Sequence, residues 1–140
     1  MLEIFKQKKE DSKPKILVVD DEPDFLSTIQ CRLEWYNYEV VTACNGQEGL
    51  EKALSEKPSL ILLDTNMPVM NGQEMLERLR NSAELKNIPV IMVTAQCDAQ
   101  DITKASSLGI SDYVAKPFNF PQLMEKIENI IENHKSVAGA

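Results

Sequence analysis

The sequence predicts an α/β protein in which a parallel β-sheet is covered by helices on both faces. Three observations carry the prediction. Five short apolar, β-branched runs recur along the chain, and each is followed by apolar residues at helical spacing. The runs are apolar on both faces, as expected of strands buried in a parallel sheet. The length, 140 residues at 43% hydrophobic and 26% charged, suits one ordinary globular domain with a real core.

The five strand candidates are KILVVD (15–20), EVVTA (39–43), SLILLD (59–64), PVIMVTA (89–95) and DYVAKP (112–117). The first helix opens at Pro23, a residue suited to the first helical position, and puts Phe25, Ile29 and Leu33 on one face. The second, NGQEGLEKALSE, has Asn45 and Glu48 in capping-box register. The third, NGQEMLERLRN, repeats that register with Asn71 and Glu74, and Leu76 and Leu79 supply its apolar stripe. The fourth runs from about Asp98, an acceptable N-cap, to Leu108, where Gly109 is a natural stop. The fifth places Phe120, Leu123, Met124, Ile127, Ile130 and Ile131 at spacings of three and four. Right-handed crossovers leave few topologies for such a series. In open sheets of this kind ligands bind beyond the C-terminal strand ends, where strand order reverses.

The remaining segments are expected to be simple. Residues 1–14 form a polar, Lys-rich leader, with Leu2, Ile4 and Phe5 as a short apolar patch; flexibility or a frayed helix is expected there. Residues 15–134 make the folded domain and 135–140 a short C-terminal tail. The net charge is −7, and residues 1–15 carry five lysines against three acids, +2, which leaves −9 for the remainder. An acidic body argues against non-specific nucleic-acid binding and suits a cation site or a basic protein partner. Cys31, Cys44 and Cys97 are widely spaced, no CxxC pair occurs and His134 is the single histidine, so a Cys/His zinc site is not expected. With no long apolar run and no secretion signal, the expected compartment is the cytoplasm, away from the membrane.

The strand ends hold the informative residues. Strand 1 ends in Asp20-Asp21, strand 3 in Asp64, strand 4 in Thr94-Ala95 and strand 5 in Lys116-Pro117. Acids before a helix are favoured by its dipole, worth about 0.3–1 kcal/mol each, and that alone would account for Asp20, Asp21 and Glu22. It does not account for Asp64 and Lys116 at the ends of other strands. Clustered carboxylates raise one another's pKa unless a cation offsets the repulsion. Magnesium, with few carboxylates, several waters and a phosphate, fits such a set, and a lone lysine suits a phosphoryl oxygen. The constellation points to phosphoryl chemistry at a carboxylate, with Asp64 attacking phosphorus to form an acyl phosphate.

With these residues in place the sequence resembles the receiver domain of two-component response regulators over about residues 15–134. The matching pieces are VVDDE (18–22), LLDTNMPVMNG (62–72), VTA (93–95) and DYVAKPF (112–118), in order across five βα units. The resemblance implies a doubly wound, flavodoxin-like (βα)5 three-layer sandwich with strand order 2-1-3-4-5. It implies Asp64 as phosphoacceptor, with Mg2+ (or Mn2+) held by Asp21, Asp64 and the Asn66 carbonyl, and Asp20 assisting. Thr94 would bind the phosphoryl group, Lys116 would pair with it, and Lys116-Pro117 would be a cis peptide. Tyr113 would be an aromatic switch coupled to Thr94. Met67-Pro68 and Gly72 match the loop after the acceptor, while Thr65 occupies a variable position. Asn66 and Gln96 would flank the incoming water and bear on phosphate lifetime. Cys97 lies three residues beyond Thr94, with nothing that marks it as reactive.

The expected function is therefore a receiver that is phosphorylated on Asp64 by a histidine kinase or histidine phosphotransfer protein. It would catalyse its own phosphorylation and dephosphorylation without a separate small-molecule substrate. It would signal to a downstream protein target through helix 4, strand 5 and helix 5, as a monomer or a phosphorylation-dependent dimer. Because only HKSVAGA follows the fifth helix, a single-domain regulator is expected. A receiver excised from a larger regulator is the first alternative. An aspartyl-phosphate phosphatase is the second, although such enzymes commonly carry an acid where this chain has Asn66.

Overall fold

Five parallel strands, each leading into a helix, account for the fold. A computed structural model describes residues 13–139 apart from 66, 68 and 96–98, with the side chains of 94, 99–102 and 134–139 also left aside. Expectations for residues 1–12, Asn66, Pro68, Gln96, Cys97 and Asp98, and for the Thr94 side chain, lie outside the described residues. The strands are β1 (Lys15–Val19), β2 (Glu39–Ala43), β3 (Leu60–Leu63), β4 (Val90–Thr94) and β5 (Asp112–Ala115). The helices are α1 (Pro23–Trp35), α2 (Gly46–Glu56), α3 (Gly72–Arg80), α4 (Ala99–Ser107) and α5 (Phe120–Gly139). The sheet order is β2-β1-β3-β4-β5, the doubly wound arrangement, with its reversal between β1 and β3.

Strand alternation divides the core in two, because successive side chains point to opposite faces. Leu17, Val19, Ile61, Leu63 and Met92 pack with Ala53, Met75, Leu76, Leu79 and Ala105, so α2, α3 and α4 cover one face. Ile16, Val18, Leu60, Leu62, Ile91 and Val93 pack with Ile29, Leu33, Leu123 and Ile127, so α1 and α5 cover the other. The central strands match the expectation of burial on both faces. The edge strands do not: β2 is mostly half-buried with Glu39 exposed, and in β5 Val114 alone is buried. An edge strand has one neighbouring strand and less helix above it, so part of its surface stays with water.

Local chemistry sets the helix ends. Asn45 accepts a hydrogen bond from the Glu48 N–H at 2.9 Å, and Asn71 does the same for Glu74 at 2.9 Å. The return bond from Glu48 reaches the N–H of Cys44, at 2.7 Å, one residue earlier than a capping box would place it. Gly109 closes α4 with φ of 77°, a left-handed conformation that favours glycine. The segment expected as a tail is helical through Gly139, since no proline interrupts it after His134.

Arg80 ties the far end of the sheet together. Its Nε donates to the Leu108 carbonyl at 2.7 Å, Nη1 to those of Lys86 and Ile88 at 3.1 Å each, and Nη2 to that of Gly109 at 3.2 Å. Burial pushes the guanidinium pKa down, yet arginine keeps its charge at any ordinary pH. Arg80→Ala strands these carbonyls in partly buried surroundings. A loss of about 2–4 kcal/mol is expected, read as a lower urea midpoint with an unchanged slope. Arg80→Lys should recover only a minor part, because one ammonium cannot span the fork; full recovery would show that charge, not geometry, matters here.

Candidate functional site

The sheet register brings the strand ends to one level. Val19 lies opposite Ala43 on one side and Leu63 on the other, Leu63 lies opposite Met92, and Thr94 lies opposite Ala115. The residues just beyond are held by backbone bonds. The N–H of Asp20 donates to the Ala43 carbonyl and that of Asp64 to the Val19 carbonyl, each at 3.0 Å. Carboxylates at the ends of β1 and β3 therefore meet across one strand spacing.

Asp20 and Asp64 are 1% and 6% exposed, whereas Asp21 is exposed. One ligand atom from each of Asp20, Asp21 and Asp64 lies within 4.8 Å of the others. Such closeness is costly for three like charges without a cation. Lys116 supplies one: its Nζ lies 2.6 Å from Asp20 Oδ2 and 3.4 Å from Glu22 Oε1, and 4.3 Å above the Phe25 ring. Asp20 Oδ1 accepts from the Glu22 N–H at 2.9 Å, so both oxygens of Asp20 already hold a donor. Burial by itself would lower the Lys116 pKa. Its hydrogen bond to Asp20 and the charges of Asp20, Asp64 and Glu22 outweigh that, and the ammonium is held above its ordinary value.

Of the residues singled out from sequence, the fold brings Asp20, Asp21, Asp64 and Lys116 together. Thr94 ends β4 at the same edge. Tyr113 in β5 is half-buried against the α2–α3–α4 side of the core. The Lys116-Pro117 peptide is cis, as the resemblance implied. Lys116 is paired with Asp20 here, a partner that sequence reasoning did not name. Glu22, read as a helix-start acid, makes no side-chain cap for α1 and turns to Lys116 instead. Phe25, read as core, packs edge-on against Phe118 at 6.0 Å and lies beneath Lys116. A single aromatic one turn into a helix gives no signal of such a contact.

The donor set fits a hard divalent cation. Every side-chain ligand is a carboxylate oxygen, and the exposed Asp21 leaves a side open to water and phosphate. Among the described residues no helix is long and apolar enough to cross a membrane.

With fold and site described, comparison with known proteins places them in a family. The chain belongs to the response regulator receiver domains, whose family model matches residues 16–128. It is 41% identical to the hybrid signal transduction histidine kinase D of Dictyostelium discoideum over 125 residues, 89% of this chain and 8% of that protein. It is 37% identical to the alkaline phosphatase synthesis transcriptional regulatory protein PhoP of Bacillus subtilis over 124 residues, 89% of this chain and 51% of that protein. The chain thus spans about half, or much less, of the length of these curated relatives. Among solved structures, a CheY-like receiver domain protein from Methanospirillum hungatei matches with a TM-score of 0.85 at 32% identity, covering 89% of this chain and 98% of that one. Vibrio cholerae chemotaxis protein CheY4 matches with a TM-score of 0.80 at 30% identity, covering 85% and 99%. Receiver domains as a class are phosphorylated on an aspartate, bind Mg2+ at an acidic pocket and interact with histidine kinases or phosphotransfer proteins.

Proposed function

We propose that Asp64 is the aspartate that takes the phosphoryl group, from a histidine kinase or a histidine phosphotransfer protein, in a Mg2+-dependent reaction. The observation that carries this is the meeting of Asp20, Asp21, Asp64 and Lys116 at one edge of the sheet. A carboxylate oxygen of Asp64 attacks phosphorus, the P–N bond to the donor imidazole breaks, and the imidazole keeps the electron pair. Asp21 and Asp64 would hold the metal, with the Asn66 carbonyl that the family resemblance implies as a further ligand, and Asp20, whose two oxygens already have donors, would assist. When bound, Mg2+ neutralises charge on the phosphoryl oxygens, and Mn2+ with its oxygen preference can substitute. Lys116 turns from Asp20 to a phosphoryl oxygen. Thr94 binds another, and Tyr113 follows Thr94 inward.

The change reaches the surface formed by α4, β5 and α5, where a downstream protein reads it, with or without dimerisation. It works by favouring one of two existing arrangements of Thr94 and Tyr113. Hydrolysis of the acyl phosphate by the same site resets the domain, so no separate small-molecule substrate is needed. The cytoplasm, where kinases have ATP, is its place.

Incubation with acetyl phosphate and Mg2+, followed by intact mass, tests the core of this reading. The protein should gain one phosphoryl group, and chelating the metal should prevent it. Asp64→Asn should gain none. Uptake by that variant, or none by the parent protein, would overturn the assignment.

A further inference from the structure

Lys116 rests on an aromatic ring, a contact that neither its ion pair with Asp20 nor the acidic cluster requires. Its Nζ stands 4.3 Å from the centroid of the Phe25 ring, while lying 2.6 Å from Asp20 Oδ2 and 3.4 Å from Glu22 Oε1. An ammonium over a ring is attracted by the negative charge of the aromatic face. Phe25 belongs to the first turn of α1. Its ring meets that of Phe118 edge-on, with centroids 6.0 Å apart and planes at 84°. Phe118 follows Lys116 by two residues, so one short segment supplies both the lysine and the ring that braces its support.

Packing by itself does not demand an aromatic here. Phe25 is half-buried at the margin of the core and borders an open groove of about 730 Å³, together with Ile29, Lys116, Phe118 and Phe120. A leucine could cover the same margin; what it lacks is a negative ring face. That face matters because Lys116 has to change partners during the reaction. A hydrogen bond to a carboxylate is directional and ties the ammonium to one oxygen. Attraction to a ring face is broad, so the ammonium can slide over it while exchanging one oxygen for another. The Lys116 side chain is 16% exposed, and such partial loss of water strengthens the contact.

We propose that Phe25 is the positioning residue for Lys116. Its ring, braced by Phe118, keeps the ammonium within reach of both Asp20 and a phosphoryl group on Asp64, and lets it pass from one to the other. This role rests on the phosphoryl reading of Asp64, since only that reaction asks Lys116 to move. Phe25 acts through Lys116 alone.

Fluorination separates the electrons of the ring from its shape. Replacing Phe25 by mono-, di- and trifluorinated phenylalanine leaves the ring nearly the same size and drains its face of negative charge step by step. Along that series phosphoryl uptake from acetyl phosphate with Mg2+ should slow stepwise, ending about tenfold below the parent, with Phe25→Leu at the same level. Phe25→Tyr, which keeps the face, should react at nearly the parent rate. The urea midpoint, read without Mg2+ or phosphodonor, should fall in the same order in the parent background and stay level when Lys116→Met is also present. Equal rates across the series, in a protein that still loses uptake on Asp64→Asn, overturn the positioning role and leave the phosphoryl reading standing. A midpoint that falls while the rates hold level makes the contact structural only and overturns the role as well. Absence of uptake by the parent protein overturns the phosphoryl reading and the role of Phe25 with it.

Discussion

Lys116→Met is expected to lower stability by about 2–4 kcal/mol, at the lower side of the range for breaking a buried pair because Lys116 itself is partly exposed and the Glu22 N–H still donates to Asp20. The cause is electrostatic. Lys116 has a side chain 16% exposed and sits on an Asp20 carboxylate that is 2% exposed, beside Asp64 and Asp21. Methionine fills similar space over Phe25 but removes the ammonium that sits on Asp20 beside the other two carboxylates. Mg2+ should therefore raise the thermal midpoint of the variant more than that of the parent, because it replaces the missing charge. Phosphoryl uptake from acetyl phosphate should slow as well. The pH dependence separates this cause from simple loss of packing. The folded-state pKa of Lys116 is raised above its ordinary 10.5, so its stabilising contribution is complete below that value and lost as pH climbs through the higher one. The parent protein should lose stability above about pH 10.5, and the variant should lack that portion of the loss. Parallel curves for the two proteins, or an equal response to Mg2+, would show that the pair is not what holds this edge.

Gly72→Ala is expected to damage the fold and the acceptor together. Gly72 is the first residue of α3, and its N–H donates to the Thr65 carbonyl at 3.1 Å. A Cβ there would be driven into the Asp64 carbonyl oxygen, with the Thr65 Cα at 2.7 Å and the Asp64 carbonyl carbon at 2.9 Å. These are backbone atoms and cannot rotate away, so the acceptor segment must move. Overpacking of this kind costs about 1–3 kcal/mol or more. A displacement of about 1 Å in a reacting group slows its chemistry on the order of a hundredfold. Gly109→Ala is the control. Its φ of 77° makes alanine strained, but the nearest atom to its Cβ is the Arg80 Nε at 3.7 Å, at the opposite end of the sheet. It should cost about 1 kcal/mol and leave phosphoryl uptake unchanged. A Gly72→Ala protein that is phosphorylated at the parent rate would mean that the acceptor loop is free to adjust.

Much of this was legible in the chain before folding is considered. The strand cores Ile16–Val19, Leu60–Leu63 and Val90–Val93 stood out because burial on both faces demands continuous apolar runs. Asn45 and Asn71 announced their helices because capping is a bond between near neighbours. The positions of Asp20, Asp21, Asp64 and Lys116 past the strands followed from the same local patterns, and the family resemblance supplied the strand order.

What tertiary structure alone decided are the pairings between distant residues. Lys116 reaches Asp20 across 96 positions of sequence, and Arg80 reaches Leu108 across 28. No periodicity encodes either, because each depends on where the sheet order sets two strand or helix ends and on which donor then has length to spare. The same holds for Glu22, which local rules assign to the helix start and the folded protein gives to Lys116. Sequence determined which groups arrive at the edge of the sheet. The packing of the sheet and its helices determined which of them touch, since a charge removed from water takes the nearest opposite charge the fold offers.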